Sequence, residues 1–248
     1  MSKLIHLKKE QQQIMPLFNG AFVENKPIPF PNRSESKVYS NLFYWAHLEA
    51  NRTAEFPLHP HEGFEIMAFI LKGSLEHSDS LSDSYTTLSA GGVQVIQAGS
   101  GVQHAERIIK GTHIFQIWFD PDFSKTINNK AQYKDYQANK FKSEKNGGIK
   151  RTSYVGETGP ISYETPGLEI EKLKFDKVLY EKSLDSNSTY SFYLLNGKMK
   201  INGDVILKDS FMVLNDLDKI TYEVEDVAEL FIIKTPTKVE YARFIDRY

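Results

Sequence analysis

The stretch VQVIQAGSGVQHAERIIKGTHIFQIWF, residues 93–119, decides the fold. Val93–Gln97, Val102–Ile109 and Thr112–Phe119 are short runs rich in β-branched and aromatic residues, which predict strands. Gly99-Ser100-Gly101 predicts the turn between the first two. Many short strands at near-regular spacing with glycine turns are typical of jelly-roll barrels and sandwiches, so we predict an all-β protein.

The second half of the chain echoes the first. The run YLLNGKM at Tyr193–Met199 resembles FILKGSL at Phe69–Leu75, and Glu229–Pro236 resembles Ile114–Pro121. Both matches are weak residue by residue, but they occur in the same order. A repeated order predicts two copies of one β-fold, that is, two jelly-roll β-barrel domains.

A polar segment separates the two copies. Phe123–Gly148 is rich in Lys, Asn and Gln and is interpreted as the inter-domain connection, with a short helical turn near Ala131–Tyr136. We expect an N-terminal metal-binding domain at 1–132 and a C-terminal domain without metal ligands at 133–248. Val239–Tyr248 is expected to form a C-terminal helix that packs back on the body.

Two donor pairs point to a metal site. His59-Pro60-His61 and His104-Ala105-Glu106 each place two donors at positions i and i+2, which lie on one face of a strand. Four donors from two strands can therefore meet inside a barrel. Three imidazoles and one carboxylate form a site for a first-row metal, and iron suits that set. A buried Glu106 would be costly without a cation nearby.

The second copy lacks these donors. No histidine occurs after His113, and the positions that correspond by spacing to His59 and His61 are Ser183 and Asp185. One aspartate does not make a metal site. We therefore expect a single metal ion, bound in the N-terminal half of the chain.

Other polar and aromatic residues near these motifs are assigned other roles. Glu65 can share the face of the first histidine pair, so it is a rival metal ligand. The preferred interpretation is that Glu65 supports the ligands or forms part of the pocket wall. His77 is expected to form hydrogen bonds in a loop. His47 and His113 are expected to be structural, and Trp118 to pack in the core.

Composition excludes several classes of function. The 248 residues carry a formal net charge of −2, which argues against general attraction to nucleic acid or anionic membranes. The absence of cysteine excludes disulfides, thiolate metal sites and cysteine nucleophiles. No GxSxG or P-loop motif supports hydrolase or nucleotide-phosphate chemistry. Met1–Pro16 shows no signal peptide and no window is apolar enough to span a bilayer, so a cytoplasmic protein is expected.

These motifs together resemble the pirin family of the cupin superfamily. The resemblance is specific over most of residues 56–137 and loose in the second half. It is carried by HPHEGFE at 59–65, the Lys72-Gly73 turn, HSDS at 77–80, the segment from Gln94 to Glu106, Gln116-Ile117-Trp118, Pro121, and the stretch from Tyr133 to Gln137.

The resemblance implies a bicupin fold with one non-haem metal ion in the N-terminal barrel. The implied ligands are His59, His61, His104 and Glu106. Fe(II) is the preferred ion, and Mn, Ni, Cu and Zn remain alternatives. Some family members resemble quercetin 2,3-dioxygenases, which open flavonols with O₂, and Glu106 would then be the catalytic base. The substrate would be a small aromatic molecule together with O₂.

Two alternatives remain open from the sequence. One is a non-enzymatic, redox-sensitive metal protein that binds a protein partner, and the other is a different cupin enzyme. We expect a monomer without direct nucleic-acid or membrane binding. Val95, Gln97 and Ser100 stand where family members often have bulkier or basic residues. We expect these positions to line the pocket and to bear on the identity of the substrate.

Overall fold

The structure, a computed structural model, describes residues 2–31, 38–79 and 82–247. Ser80 of the family motif lies outside the described residues. Within them the strands are, in chain order, β1 Ser2–Leu7, β2 Gln13–Leu17, β3 Phe22–Ile28, β4 Leu42–Ala50, β5 Ala54–His61, β6 Glu65–Lys72, β7 Ser74–Asp79, β8 Ser82–Ser89, β9 Val93–Gln97, β10 Val102–Ile108, β11 His113–Phe119, β12 Gln132–Tyr136, β13 Ser143–Asn146, β14 Ile149–Val155, β15 Glu169–Phe175, β16 Val178–Ser183, β17 Ser188–Asn196, β18 Lys198–Ile201, β19 Asp204–Leu207, β20 Phe211–Asn215, β21 Lys219–Val224 and β22 Ala228–Pro236.

Helical structure is sparse among these residues. The one α-helix described, α1, covers Phe123–Thr126, where the side chain of Asp122 accepts a hydrogen bond from the Ser124 N–H and caps the first turn. Single turns of 3-10 helix cover Lys9–Gln11, Ala138–Lys140 and Phe244–Asp246. The all-β prediction is confirmed. No helix of the described chain is long and apolar enough to cross a membrane.

The chain divides into two compact units with exchanged ends. The N-terminal barrel consists of Gln13–Lys140, Tyr163–Thr165 and Glu240–Tyr248. The C-terminal barrel consists of Met1–Gln12, Phe141–Ser162 and Pro166–Val239. The start of the chain therefore belongs to the C-terminal barrel, and its end belongs to the N-terminal barrel. A single boundary after residue 132 does not describe this division.

Both barrels have the same sheet topology. The N-terminal barrel has a seven-stranded antiparallel sheet in the order β12-β9-β6-β11-β4-β3-β2 and a four-stranded sheet in the order β5-β10-β7-β8. The C-terminal barrel has the orders β1-β20-β17-β22-β15-β14-β13 and β16-β21-β18-β19. The strands correspond one to one in chain order, except that the edge strand β1 comes from the start of the chain. The predicted repeat of one β-fold is confirmed.

The interior of the C-terminal barrel is filled by apolar side chains. Its core includes Phe175, Phe192, Tyr222 and Leu230, all almost completely buried. Tyr222 lies on β21, the strand that corresponds to β10, and β10 carries His104. Among the described residues, both clusters of metal-type donors lie in the N-terminal barrel.

Two local predictions are wrong for the same reason. Ala131–Tyr136 was expected to contain a helical turn, but Gln132–Tyr136 forms β12 by pairing along the whole of β9. Val239–Tyr248 was expected to be a helix, but its described residues, 239–247, contain only one 3-10 turn. The tail is instead held by the Phe244 N–H, which donates to the Asp120 carboxylate, and by ring contacts of Phe244. Contacts with residues distant in sequence determine the conformation of both segments.

Candidate metal centre and its cavity

Strands β5 and β10 bring three histidines together. His59 lies directly opposite His104 in the antiparallel register, and their ring centroids are 4.4 Å apart. His61 Nε2 lies 3.0 Å from His104 Nε2, and the rings of His59 and His61 are 4.8 Å apart. One nitrogen from each of the three rings lies within 4.8 Å of the other two. The three imidazoles can therefore reach a common ion.

A β-bulge in β5 shapes this face. Between His104 and Glu106 on β10 the register moves from His59 to Phe56 on β5, so β5 contains one extra residue. Bulges of this kind re-aim side chains and occur beside functional sites. Phe56 thereby joins His59 and His61 in the wall of one cavity. Pro57 is tolerated there, because a residue in a bulge need not donate to the sheet.

The protonation of the rings suits metal binding. His59 Nδ1 lies 2.8 Å from the Pro57 carbonyl oxygen, which can only accept, so Nδ1 carries a proton and Nε2 is the nitrogen available to a metal ion. Burial lowers the pKa of His61 to about 4, with a further contribution from His59. Burial and the neighbouring histidines lower the pKa of His104 to about 2. Both rings are therefore neutral at pH 7.

The three histidines also pass a geometric test for a metal ion. In an octahedral site with bonds of about 2.1 Å, adjacent nitrogens lie about 3.0 Å apart. The Nε2 atoms of His61 and His104 show that separation. The donor set of three imidazoles also fits a divalent first-row ion.

Glu106 lies beside the histidines but outside their group. Its carboxylate oxygens do not lie within 4.8 Å of all three of these ring nitrogens. The side chain nevertheless lines the same cavity. The side chain is 3% exposed, and Gln116 Nε2 lies 3.3 Å from each of its oxygens. Burial raises its pKa to about 7, while His77 acts in the opposite direction. Its role as the fourth ligand stays a prediction.

The cavity in front of the histidines has a volume of about 510 Å³. Trp118 was expected to pack in the core, but it also lines this cavity and meets the His61 ring edge-on, with centroids 4.8 Å apart. The full lining is Met15, Leu17, Glu24, Lys26, Phe30, Tyr44, Leu48, Phe56, His59, Pro60, His61, His104, Glu106, Gln116 and Trp118. The sequence-based expectation that Val95, Gln97 and Ser100 line the pocket is wrong for this cavity, because none of them is among these residues.

Sequence reasoning missed the polar group in the far wall. Lys26 and Glu24 form an ion pair of 2.9 Å, and both side chains are more than nine-tenths buried. The Tyr44 hydroxyl lies 3.3 Å from Glu24, and burial raises the pKa of this tyrosine. The alternation of side chains along a strand could have indicated this pair. Glu24 and Lys26 are two residues apart in β3, so they share a face of the sheet. Their distance in sequence from the histidines concealed the connection.

Glu65 holds a loop of its own barrel. Its carboxylate accepts hydrogen bonds from the Glu164 N–H at 2.9 Å, the Thr165 N–H at 3.0 Å, the Thr165 hydroxyl at 2.6 Å and Gln97 Nε2 at 3.1 Å. Both oxygens are occupied by these donors. The interpretation of Glu65 as a rival metal ligand therefore finds no support, and its role is to fix residues 163–165.

His77 forms hydrogen bonds as predicted, but from a strand rather than a loop. It lies on β7 directly opposite Glu106 and is 1% exposed. His77 Nε2 lies 2.8 Å from Asp135 Oδ2 and 2.6 Å from the Thr86 hydroxyl. The Tyr133 hydroxyl contacts the same ring. These residues form a polar network behind Glu106.

Known proteins match this part of the chain. The Pirin family matches residues 32–119, which contain both donor pairs. A pirin-like protein of Caulobacter vibrioides is 42% identical over 82 residues, 32% of this chain and 35% of that protein. A quercetin 2,3-dioxygenase of Escherichia coli K12 is 37% identical over 70 residues, 27% of this chain and 30% of that protein. The matched segments thus span about a third of the length of these relatives.

Solved structures match nearly the whole chain. The bacterial pirin YhhW of Escherichia coli, in complex with nickel(II), has a TM-score of 0.79 and 18% identity and covers 94% of this chain and 99% of its own. A quercetin 2,3-dioxygenase from Acinetobacter baumannii has a TM-score of 0.77 and 23% identity and covers 92% and 78%. At these identities the likeness shows the fold. Residues 32–119 therefore match the Pirin family, and the chain has the fold of the solved pirin structure.

Proposed function

We propose that the protein is a metal-dependent dioxygenase that opens a flavonol such as quercetin with O₂. The observation that carries this proposal is the convergence of three imidazoles on an aromatic cavity that also contains a buried carboxylate. His59, His61, His104 and Glu106 would hold one divalent first-row ion, with Fe(II) preferred. When bound, such an ion supplies a Lewis acid and a template for substrate and O₂. The names of the quercetin 2,3-dioxygenase relatives support the choice of substrate.

The cavity suits a flat aromatic substrate. Its volume of about 510 Å³ lies in the range typical of small-molecule sites. Phe30 and Tyr44 are stacked with centroids 4.0 Å apart, and Trp118 meets Phe30 edge-on at 5.0 Å. These rings offer faces and edges for the flavonol and exclude water from it. The buried pair of Lys26 and Glu24 offers hydrogen bonds to the substrate's outer hydroxyls.

Glu106 is proposed as the base that takes the proton from the flavonol 3-hydroxyl. In the metal-free protein, burial raises the pKa of this carboxyl to about 7. A divalent ion bound beside it would lower this pKa and keep the group ionised, as a base requires. Gln116 contacts both carboxylate oxygens at 3.3 Å and limits rotation of the group. One carboxylate oxygen would receive the proton while Gln116 continues to donate to the other.

The test is an aerobic assay of protein loaded separately with iron, manganese, nickel or copper. We expect loss of flavonol absorbance, O₂ uptake and CO release with at least one of these metals. The His104→Ala protein should be inactive, whereas Gln103→Ala, which changes an exposed neighbour on the same strand, should remain active. Absence of turnover with all four metals at full occupancy would refute the enzyme proposal. It would favour the non-enzymatic, redox-sensitive alternative.

A further inference from the structure

A second group of metal-type donors lies in the N-terminal barrel, on a different pair of strands. His47 and Glu49 are two residues apart on β4, and His113 is at the start of β11. In the antiparallel register His113 lies directly opposite Glu49, and Phe115 lies opposite His47. One donor atom from each of the three side chains lies within 4.8 Å of the other two. Two histidines and one glutamate therefore converge on one point.

This group is separate from the cavity. Tyr44 and Leu48 of β4 line the cavity, and alternate residues of a strand point to opposite faces of the sheet. His47 and Glu49 therefore lie on the other face, together with His113, their cross-strand neighbour. An ion bound there would have the thickness of the sheet between it and the site formed by His59, His61 and His104.

The distance between the two rings agrees with tetrahedral coordination. His113 Nδ1 lies 3.3 Å from His47 Nε2, and the ring planes are inclined by 46°. Two nitrogens bound tetrahedrally to zinc at about 2.05 Å lie about 3.3 Å apart. As a direct hydrogen bond between rings, the same separation would be long. Two histidines and a glutamate are also the protein ligands of a common class of zinc site, in which water takes the fourth position.

The three donors differ in burial, and a buried amide lies across from one of them. His47 is buried, whereas Glu49 and His113 are only half-buried. Asn25 lies directly across from His47 in β3 and on the same face. Its side chain is 4% exposed, and its Nδ2 has no hydrogen-bond partner among the described residues. Because amide nitrogen and oxygen are interchangeable by a flip, this group can pair with a water bound to the ion.

We propose that His47, Glu49 and His113 bind a second divalent ion of the zinc type, with tetrahedral geometry and water as the fourth ligand. The ion would link β4 to β11, two adjacent strands of the large sheet. This assignment replaces the sequence-based expectation that His47 and His113 are purely structural. It is independent of the proposed dioxygenase activity, because none of its ligands lines the cavity.

The test is a titration of the full-length, metal-free protein with Co²⁺ and with Zn²⁺. Tetrahedral Co²⁺ absorbs visible light strongly and six-coordinate Co²⁺ weakly, so the spectrum distinguishes the two sites. We expect two bound equivalents, one of which gives an intense visible band. Glu49→Gln and His113→Gln should each lose that equivalent and its band. His59→Ala should lose the other equivalent and keep the band, and Glu55→Gln, at an exposed site on β5, should keep both.

Several results would overturn the proposal. The proposal is wrong if the unaltered protein binds one equivalent of metal and this equivalent is lost in His59→Ala but retained in Glu49→Gln. A second equivalent that persists in both Glu49→Gln and His113→Gln would place the ion elsewhere. Circular dichroism checks the folding of each variant. If both variants fail to fold, the unaltered protein still decides the matter, because absence of an intense Co²⁺ band at two equivalents contradicts tetrahedral coordination.

Discussion

His59 of β5 and His104 of β10 are direct cross-strand partners, with ring centroids 4.4 Å apart. The candidate metal centre therefore depends on the register of a single strand pair. A slip of one residue would turn both histidines of β5 to the opposite face. The bulge between the His104 and Glu106 positions is part of that register, since it brings Phe56 rather than Pro57 opposite Glu106.

The first prediction concerns metal content. His104→Ala removes one of the three rings, and we expect the metal affinity of this site to fall at least about 100-fold, because even indirect supports of metal ligands contribute about 10–100-fold. Metal analysis after dialysis should show one equivalent less than in the unaltered protein. Gln103→Ala, at the exposed neighbouring position, is the matched control. A His104→Ala protein with full metal content would contradict the assignment.

The second prediction concerns catalysis. Glu106→Gln keeps the shape of the side chain and an acceptor for Gln116, but removes the base. We expect kcat for flavonol opening to fall about 10²–10⁴-fold, the usual contribution of a positioned general base. Metal content should fall less than in His104→Ala, because the three imidazoles remain. Activity is expressed per bound ion, with Glu62→Gln at an exposed position as control. A kcat within a few-fold of the unaltered value would remove the base from the proposed mechanism.

Local sequence signals were sufficient for most of the fold. Val93–Gln97 was predicted with both ends correct, and the strand predicted at Thr112–Phe119 begins only one residue later, at His113. The first lies between glycine turns and the second between Gly111 and Pro121, so alternation and β-branched residues act locally in both. The order of two weak internal matches was enough to predict the repeat, because each copy must form the same sheets.

Features that depend on distant residues could not be predicted. Gln132–Tyr136 has no strong apolar pattern and is a strand because it pairs with β9. Three of the four donors to Glu65 come from residues 164 and 165, about 100 positions away. The spacing of residues alone suggested that Glu65 lies on the face of the metal ligands. Spacing could not show that the carboxylate has other hydrogen-bond partners. The same limit concealed the buried pair of Lys26 and Glu24 in the cavity wall.

The third prediction separates a structural role of Glu65 from ligation. Glu65→Gln keeps the size of the side chain but turns an NH₂ group toward N–H and O–H donors, among them Thr165. Because the group is fully buried, we expect the free energy of unfolding to fall by about 3 kcal/mol, a typical cost of leaving buried donors unpaired. Urea denaturation measures this loss, with the exposed Glu62→Gln as control. Metal content should not change, and its loss would restore Glu65 as a ligand candidate.

The fourth prediction concerns the network behind Glu106. Asp135→Ala removes the carboxylate that lies 2.8 Å from His77 Nε2, and His77 is almost completely buried. We expect a loss of about 1–3 kcal/mol in the free energy of unfolding and a lower kcat at unchanged metal content, because His77 lies directly opposite Glu106. Lys134→Ala changes an exposed residue of the same strand and serves as control. A change within about 0.5 kcal/mol would show that the network does not hold His77.

The last prediction is a pH dependence of the metal-free protein. Burial raises the Glu106 pKa from 4.5 to about 7, so the native state holds this proton more tightly than the unfolded chain. The resulting stability is fully present below pH 4.5 and is lost as the pH rises through 7. From pH 5 to pH 8 the loss should be about 2–3 kcal/mol, at 1.36 kcal/mol per unit of pKa. The Glu106→Gln protein lacks this contribution, and other titrating groups largely cancel in the difference between the two. Urea denaturation across this range checks the prediction, and parallel stability curves for both proteins would contradict it.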